Sequence, residues 1–376
     1  MKSPASNQPM ALLAGIAALT VGGCATEHYF DSRPRVLGPT QISGVPAPET
    51  ARRLRMFNGD DGAALGWADV MDAVGWAEVI IIGEQHDDAV GHAVQRAIVE
   101  DTVARWPRMA LSMEMLERDE QRLVDDYFDG IIDADQFARL TFSEKWAGEG
   151  SWAQWYQPMI DAAKDGGGRV VAANAPRRYV KLARKKGYAA LDALSSSRRA
   201  FVDCPKDVPA DGYRDRFFKL MTGMHASATP PNNQPPTEKP APPQGMMHLA
   251  RDNAFIEALF RSQLVWDATM AESIARAKRR GAHKVVHLVG QFHCDSEGGT
   301  VLELRRRLPG AKILVISMQR AWPDGMRQED RGRADIVIYT GVKTPEQENA
   351  DSPDHEAHTA GTMQTASSAL SRNHAP

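Results

Sequence analysis

Six short apolar runs recur along the chain: Val79–Ile82, Met109–Met113, Arg169–Ala173, Lys284–Val289, Ile313–Ser317 and Ile336–Tyr339. Several are continuous rather than alternating, the pattern of strands covered on both faces. Between them the spacing lengthens to that of helices. Val90, Val94, Ala97 and Ile98 share one face after the first run, and Leu249–Arg280 sets Phe255, Leu259, Phe260 and Val265 on one side. Strands alternating with helices predict an α/β domain with a mostly parallel sheet.

The pattern lapses in four places, and these lapses set the expected boundaries. Residues 1–23 have a basic Lys2, an apolar stretch from Met10 to Val21 and small residues before Cys24, in "LTVGGC". That order of features predicts a signal peptide cleaved before Cys24, which would then carry lipid as the first mature residue. Residues 24–55 have scattered Pro, Gly and Ser and read as a tether between lipid and domain. The domain is expected over 56–342, broken by the proline-rich insert 226–245. Residues 343–376 are polar and read as a disordered tail. No other stretch is apolar and long enough to span a bilayer, so lipid on Cys24 would be the only membrane anchor. Deleting Pro230 to Pro243 should lower the melting temperature by no more than about 2–4 °C, since the insert has no apolar periodicity to bury. A thermal melt showing a much larger fall would contradict the loop reading.

Composition narrows the class. A chain of 376 residues has ample material for a core. A net charge of -3 argues against a general nucleic-acid binder. The three cysteines, Cys24, Cys204 and Cys294, show no metal-type CxxC spacing, and a Cys204–Cys294 pair is left open.

The ionisable residues then fall into register with the strands. Glu84 and His86 follow the first run, Glu114 the second, Asn174 and Arg177 the third, and His293 the fourth. In a parallel sheet the carboxyl ends of strands share one edge, where ligand sites lie. "VIIIGEQHDD" and "VHLVGQFHCD" both read strand, Gly, two residues, His, then an acid. Gly83 and Gly290 are expected to supply a sharp turn. His86, Glu114 and His293 would then converge, as a set for a divalent transition metal or for acid–base chemistry without one. Asp87 reads as the cap of the next helix, and "DGGGR", Asp165 to Arg169, as a helix-to-strand turn. There is no HExxH, GxSxG or Walker A sequence.

Five segments in order, "IIIGEQHDD", "LSMEML", "AANAPRRYV", "QLVWDATMAESIA" and "HLVGQFH", resemble the ChaN-like haem-binding uptake family of bacterial lipoproteins, over about Trp67 to Tyr339. That family is grouped with Tiki metalloproteases, TraB proteins and erythromycin-esterase-like enzymes. The resemblance implies a three-layer α/β/α fold with a mostly parallel sheet and a lipid-anchored protein of the bacterial envelope, at the outer membrane. It also implies binding of haem or an iron complex in iron uptake, by a homodimer with a tyrosine on the iron. Tyr179 and Tyr213 are the candidate tyrosines, with His225 as another donor. Arg177 and Arg178 are candidates for the haem propionates. The Tiki branch carries its metal set onto Gly83, His86, Glu114, Gly290 and His293. A second reading is a hydrolase, metal-dependent or using Glu84, His86, Glu114 and His293 in the same crevice.

Overall fold

A computed structural model describes residues 47–205, 212–228 and 244–341, the side chains of 223–252 excepted. The expected leader, lipidation at Cys24, residues 24–46 of the tether, residues 229–243 of the insert and the tail all lie outside the described residues, as does the side chain of His225.

Eight strands form one sheet: β1 Arg55–Asn58, β2 Ala64–Leu65, β3 Val79–Glu84, β4 Ala110–Glu117, β5 Arg169–Asn174, β6 Val285–Gly290, β7 Ile313–Gln319 and β8 Ile336–Tyr339. Their order is β2-β1-β8-β7-β3-β6-β4-β5. The six strands from β8 to β5 are parallel, and β1 pairs antiparallel with both β8 and the edge strand β2. These six are the apolar runs of the sequence. β3 shows why they are continuous: every residue in it is buried. Ile80 and Ile82 enter one core, and Val79 and Ile81 enter the other. A strand of period two with both faces covered has no polar position to spare.

The helices supply the two outer layers. α1 Pro48–Ala51, α2 Trp67–Trp76 and α3 Ala89–Arg105 are followed by α4 Gln121–Phe128, α5 Ala134–Leu140 and α6 Gln157–Asp165. Then come α7 Arg177–Lys186, the one-turn α8 Ala189–Asp192 and α9 Ser196–Arg199, α10 Gly212–Ala228, α11 Gln244–Arg279 and α12 Gly299–Arg307. α2, α3 and α6 cover the Ile80 face, while α11 and α12 cover the Val79 face. Among the described residues no helix is long and apolar enough to cross a membrane.

Several expectations need correction. The span read as tether is folded at its end: α1 begins at Pro48, and Arg52 pairs with Asp101 at 2.9 Å. Arg55 already belongs to β1, which pairs with β8. A four-residue helix and a four-residue edge strand are too short to leave a periodic signal. The proline-rich insert is shorter than read, since α10 runs to Ala228 and α11 starts at Gln244. Phe255, expected on the apolar side of α11, is exposed, whereas Leu259, Phe260 and Val265 are buried. Cys204 and Cys294, whose pairing the sequence leaves open, are free thiols. Asp88, not Asp87, caps α3, accepting from the Val90 N–H at 3.1 Å; Asp87 instead pairs with Arg320 at 2.7 Å.

Candidate functional site

The end of β3 presents Glu84 and His86. Glu84 is buried and collects donors from three elements: His86 Nδ1 at 2.7 Å, Tyr156 OH at 2.7 Å and Gln95 Nε2 at 2.6 Å. Tyr156 arrives from a π-helical turn, Trp152–Tyr156, whose Trp155 stacks on His92 at 4.6 Å. Such turns re-aim side chains that a regular helix would place elsewhere. With Nδ1 held by a carboxylate, the His86 ring has a fixed orientation. Its side chain is 27% exposed, whereas that of Glu84 is 1% exposed.

The end of β6 repeats the device. His293 Nδ1 lies 2.6 Å from Asp267 Oδ1. Asp267, on α11, is fully buried and also accepts from Tyr213 OH and Thr300 Oγ1, each at 2.8 Å. Glu114 stands between the two histidines. It leaves β4 where the register with β5 shifts, between Met113 and Glu117. One oxygen accepts from the Gly290 N–H at 2.6 Å, and the other lies 3.6 Å from His293 Nε2. Asn174 donates to the Glu114 carbonyl at 2.9 Å.

The twin glycines do something other than turn. Neither Gly83 nor Gly290 has a positive φ; Gly290 sits at -57°. Each makes room for the other motif. A Cβ on Gly290 would lie 3.1 Å from the His86 ring and 3.5 Å from Glu114 Oε2. A Cβ on Gly83 would lie 2.6 Å from Cys294 Sγ and 3.0 Å from Gln291 Cα. The repeated Gly-x-x-His is therefore an interlock across adjacent strands, with Glu84 opposite Gly290 in the ladder. His86, Glu114 and His293 meet at one edge, as the motif spacing predicts.

The charges follow from the contacts. Burial raises Glu84, but His92 and the His86 bond outweigh it and hold the carboxyl down to about 2. Burial lowers His86, but the bond to Glu84 and the nearby Glu84, Glu114 and Asp87 carboxylates raise it to about 9. His293 is also raised: burial opposes, and Asp267 and Glu114 prevail. The carboxylate's share of stability is present above its ordinary 4.5 and is lost as pH falls through about 2. The imidazolium's share is complete below its ordinary 6.5 and is lost as pH rises through about 9. Glu84→Gln should therefore destabilise most between these ordinary values. The deficit should narrow by on the order of 1–2 kcal/mol above pH 9, the pair being partly solvated. Urea unfolding at pH 6 and pH 9.5 measures this; a deficit independent of pH would contradict the pairing.

Other candidates are placed differently. Arg177 lies over Trp146 at 5.5 Å, and Trp146 meets the His86 ring edge-on at 6.1 Å, so Arg177 lines the same crevice. Arg178 pairs with Asp119 at 2.5 Å. Tyr179 is buried in a separate cluster with Val180, Leu191 and Val265. Tyr213 is buried behind Asp267, and burial with Asp267 beside it pushes its phenol well up. Tyr213 gives its phenol to Asp267, and Tyr179 lies under the Arg178 guanidinium, 4.7 Å from its ring centroid. A metal set is not supported: among the described residues no group of three or more His, Cys, Asp or Glu is arranged to hold an ion. One Glu114 oxygen is committed to Gly290, and the other lies 3.6 Å from His293 Nε2.

Motif reading missed Tyr156, Gln95 and His92, which come from helices with no local signal. It also passed over Asp267 as an individual residue, although "QLVWDATMAESIA" contains it.

The model of a family described as haem-binding uptake, Tiki superfamily, ChaN matches residues 70–304. No curated protein matches the chain. The structure is similar to that of ChaN of Campylobacter jejuni, described as showing cofacial heme binding, with a TM-score of 0.54 and 16% identity, covering 76% of this chain and 96% of that one. That likeness is one of fold. A weaker one, TM-score 0.37 and 11% identity over 79% of this chain and 87% of the other, is to a mutant of the erythromycin esterase EreC in its open conformation.

Proposed function

We propose, from the premise that this chain belongs to the ChaN haem-binding uptake family of the Tiki superfamily, that it binds haem at the crevice around His86 and serves iron uptake. The observation that carries this is the span of the match, 70–304, which contains every residue of that crevice. Haem supplies an iron that takes an axial donor, an apolar ring system and two propionates.

The residues present fit those needs. His86 would be the donor, giving up its Nε2 proton on binding: its Nδ1 is held by a buried carboxylate, the usual support of a metal-ligating imidazole, and its ring is partly open. Trp146 gives an apolar wall, and Arg177 gives a cation beside it. The segment leading to Trp146 exposes Leu140 and Phe142, and Phe142 holds a left-handed φ of 54°. A bulky residue in that conformation is strained and is kept where function needs it. Hydrolysis is the less favoured reading. The family match, described as haem-binding uptake, favours carriage of haem over hydrolysis by Glu84, His86, Glu114 and His293.

Haemin added to the protein should give a saturable shift of the Soret band. Absorption that merely sums free haemin and protein would overturn the reading. Sedimentation with and without haemin tests whether two chains close over the ligand as a homodimer. Anchoring at the outer membrane by lipid on Cys24 rests on "LTVGGC". Mass spectrometry of envelope protein should find a lipid-bearing N-terminal Cys24, and a mature start elsewhere would refute it.

A further inference from the structure

A second cavity, of about 770 Å³, runs along the open edge of β5 from Arg169 to Ala172. It shares no residue with the crevice of His86, Glu114 and His293. Five arginines line it, Arg108, Arg118, Arg169, Arg276 and Arg280, against two aspartates, Asp125 and Asp129. Arg118 is buried, with 7% exposure. Its hydrogen bonds go to neutral groups, Nε to Ser273 Oγ at 2.8 Å and Nη2 to the Thr269 carbonyl at 2.7 Å. Its Nη1 has no hydrogen-bond partner, and the residue forms no ion pair, among the described residues. Arg108, Arg169 and Arg280 are exposed at the rim and form no ion pair among the described residues either. Arg276 has only a long contact to Glu272, at 3.9 Å.

A buried guanidinium without an ion pair is costly unless something anionic meets it. Burial lowers Arg118 to about 9, with repulsion from Arg276 and Arg307 set partly against Asp203 and Glu272. The planar fork of arginine suits a carboxylate or a phosphate. Val124, Phe128 and Phe201 add apolar surface, beside the polar Gln121 and Ser273. The volume is that of a small-molecule site, commonly about 300–1,000 Å³. We propose that this cavity binds a small organic anion, with its carboxylate or phosphate on Arg118 and its apolar body against Phe128 and Phe201.

The test uses 1-naphthoate and 1-naphthyl phosphate on the full chain at low salt, followed by calorimetry, with uncharged 1-naphthol as control. At least one anion should bind saturably, and the tighter of the two identifies the head group. The rim variant Arg169→Glu/Arg280→Glu, at exposed positions that leave the fold alone, should weaken it at least about tenfold. Arg118→Met should abolish binding and Arg118→Lys restore part of it; if Arg118→Met does not fold, the rim variant decides. The proposal is overturned if neither anion binds at millimolar concentration, if 1-naphthol binds equally well, or if the rim variant binds as wild type does.

Discussion

Replacing Asp267 with alanine should destabilise the protein by about 3–5 kcal/mol, the scale of removing one partner from a buried charged pair. Asp267 is fully buried and ties three side chains from separate parts of the chain: His293, Tyr213 and Thr300. Without it a buried phenol, a buried hydroxyl and a buried imidazole N–H lose their acceptor at once. Tyr213 cannot turn outward, because its ring packs on Phe260 and Phe292, with centroids at 5.8 and 5.4 Å. Asp267→Asn keeps the shape and one acceptor and should cost less. Thermal unfolding should show a fall of roughly 6–20 °C for the alanine variant, at about 2–4 °C per kcal/mol. A fall within a couple of degrees would mean that Asp267 is not the anchor of His293.

His86→Ala should do the reverse: about 1–2 kcal/mol to the fold, the share its pairing with Glu84 supplies, and much to haem. The ring is partly exposed and stands at the mouth of the crevice, so its loss removes little burial. Its carboxylate partner keeps Tyr156 and Gln95 as donors. Loss of the iron donor should weaken haemin binding by at least about tenfold and up to about a hundredfold or more, since loss of a ligand's supporting residue alone costs about 10–100-fold. Glu84→Gln should fall between, since it unsettles the ring without removing it. Haemin titrations followed at the Soret band, with circular dichroism to confirm folding, measure both. An unchanged affinity in folded His86→Ala would return the histidine to a structural role.

The six parallel strands were legible because burial on both faces leaves runs such as "VIII" and "VVHLV" with few polar interruptions. The meeting of His86, Glu114 and His293 was legible too, since parallel topology puts strand ends together. The reason for the glycines was not. Sequence suggests conformational freedom for Gly83 and Gly290, but the need is clearance from a motif some 200 residues away, which only the register of β3 on β6 reveals. The roles of Tyr179 and Tyr213 were illegible for a similar reason. A tyrosine beside arginines reads alike whether its phenol faces a ligand or, as with Tyr213, a buried aspartate. The strands β1 and β2 were too short to carry a period.

Resonance Raman spectra of the haemin complex, wild type beside folded His86→Ala, tell imidazole from phenolate on the iron. The wild-type complex, once reduced, should show an iron–imidazole stretch that shifts when histidine is labelled with heavy nitrogen, and His86→Ala should lack it. Iron–phenolate bands present in both proteins would contradict His86 as the donor and return the iron to a tyrosine.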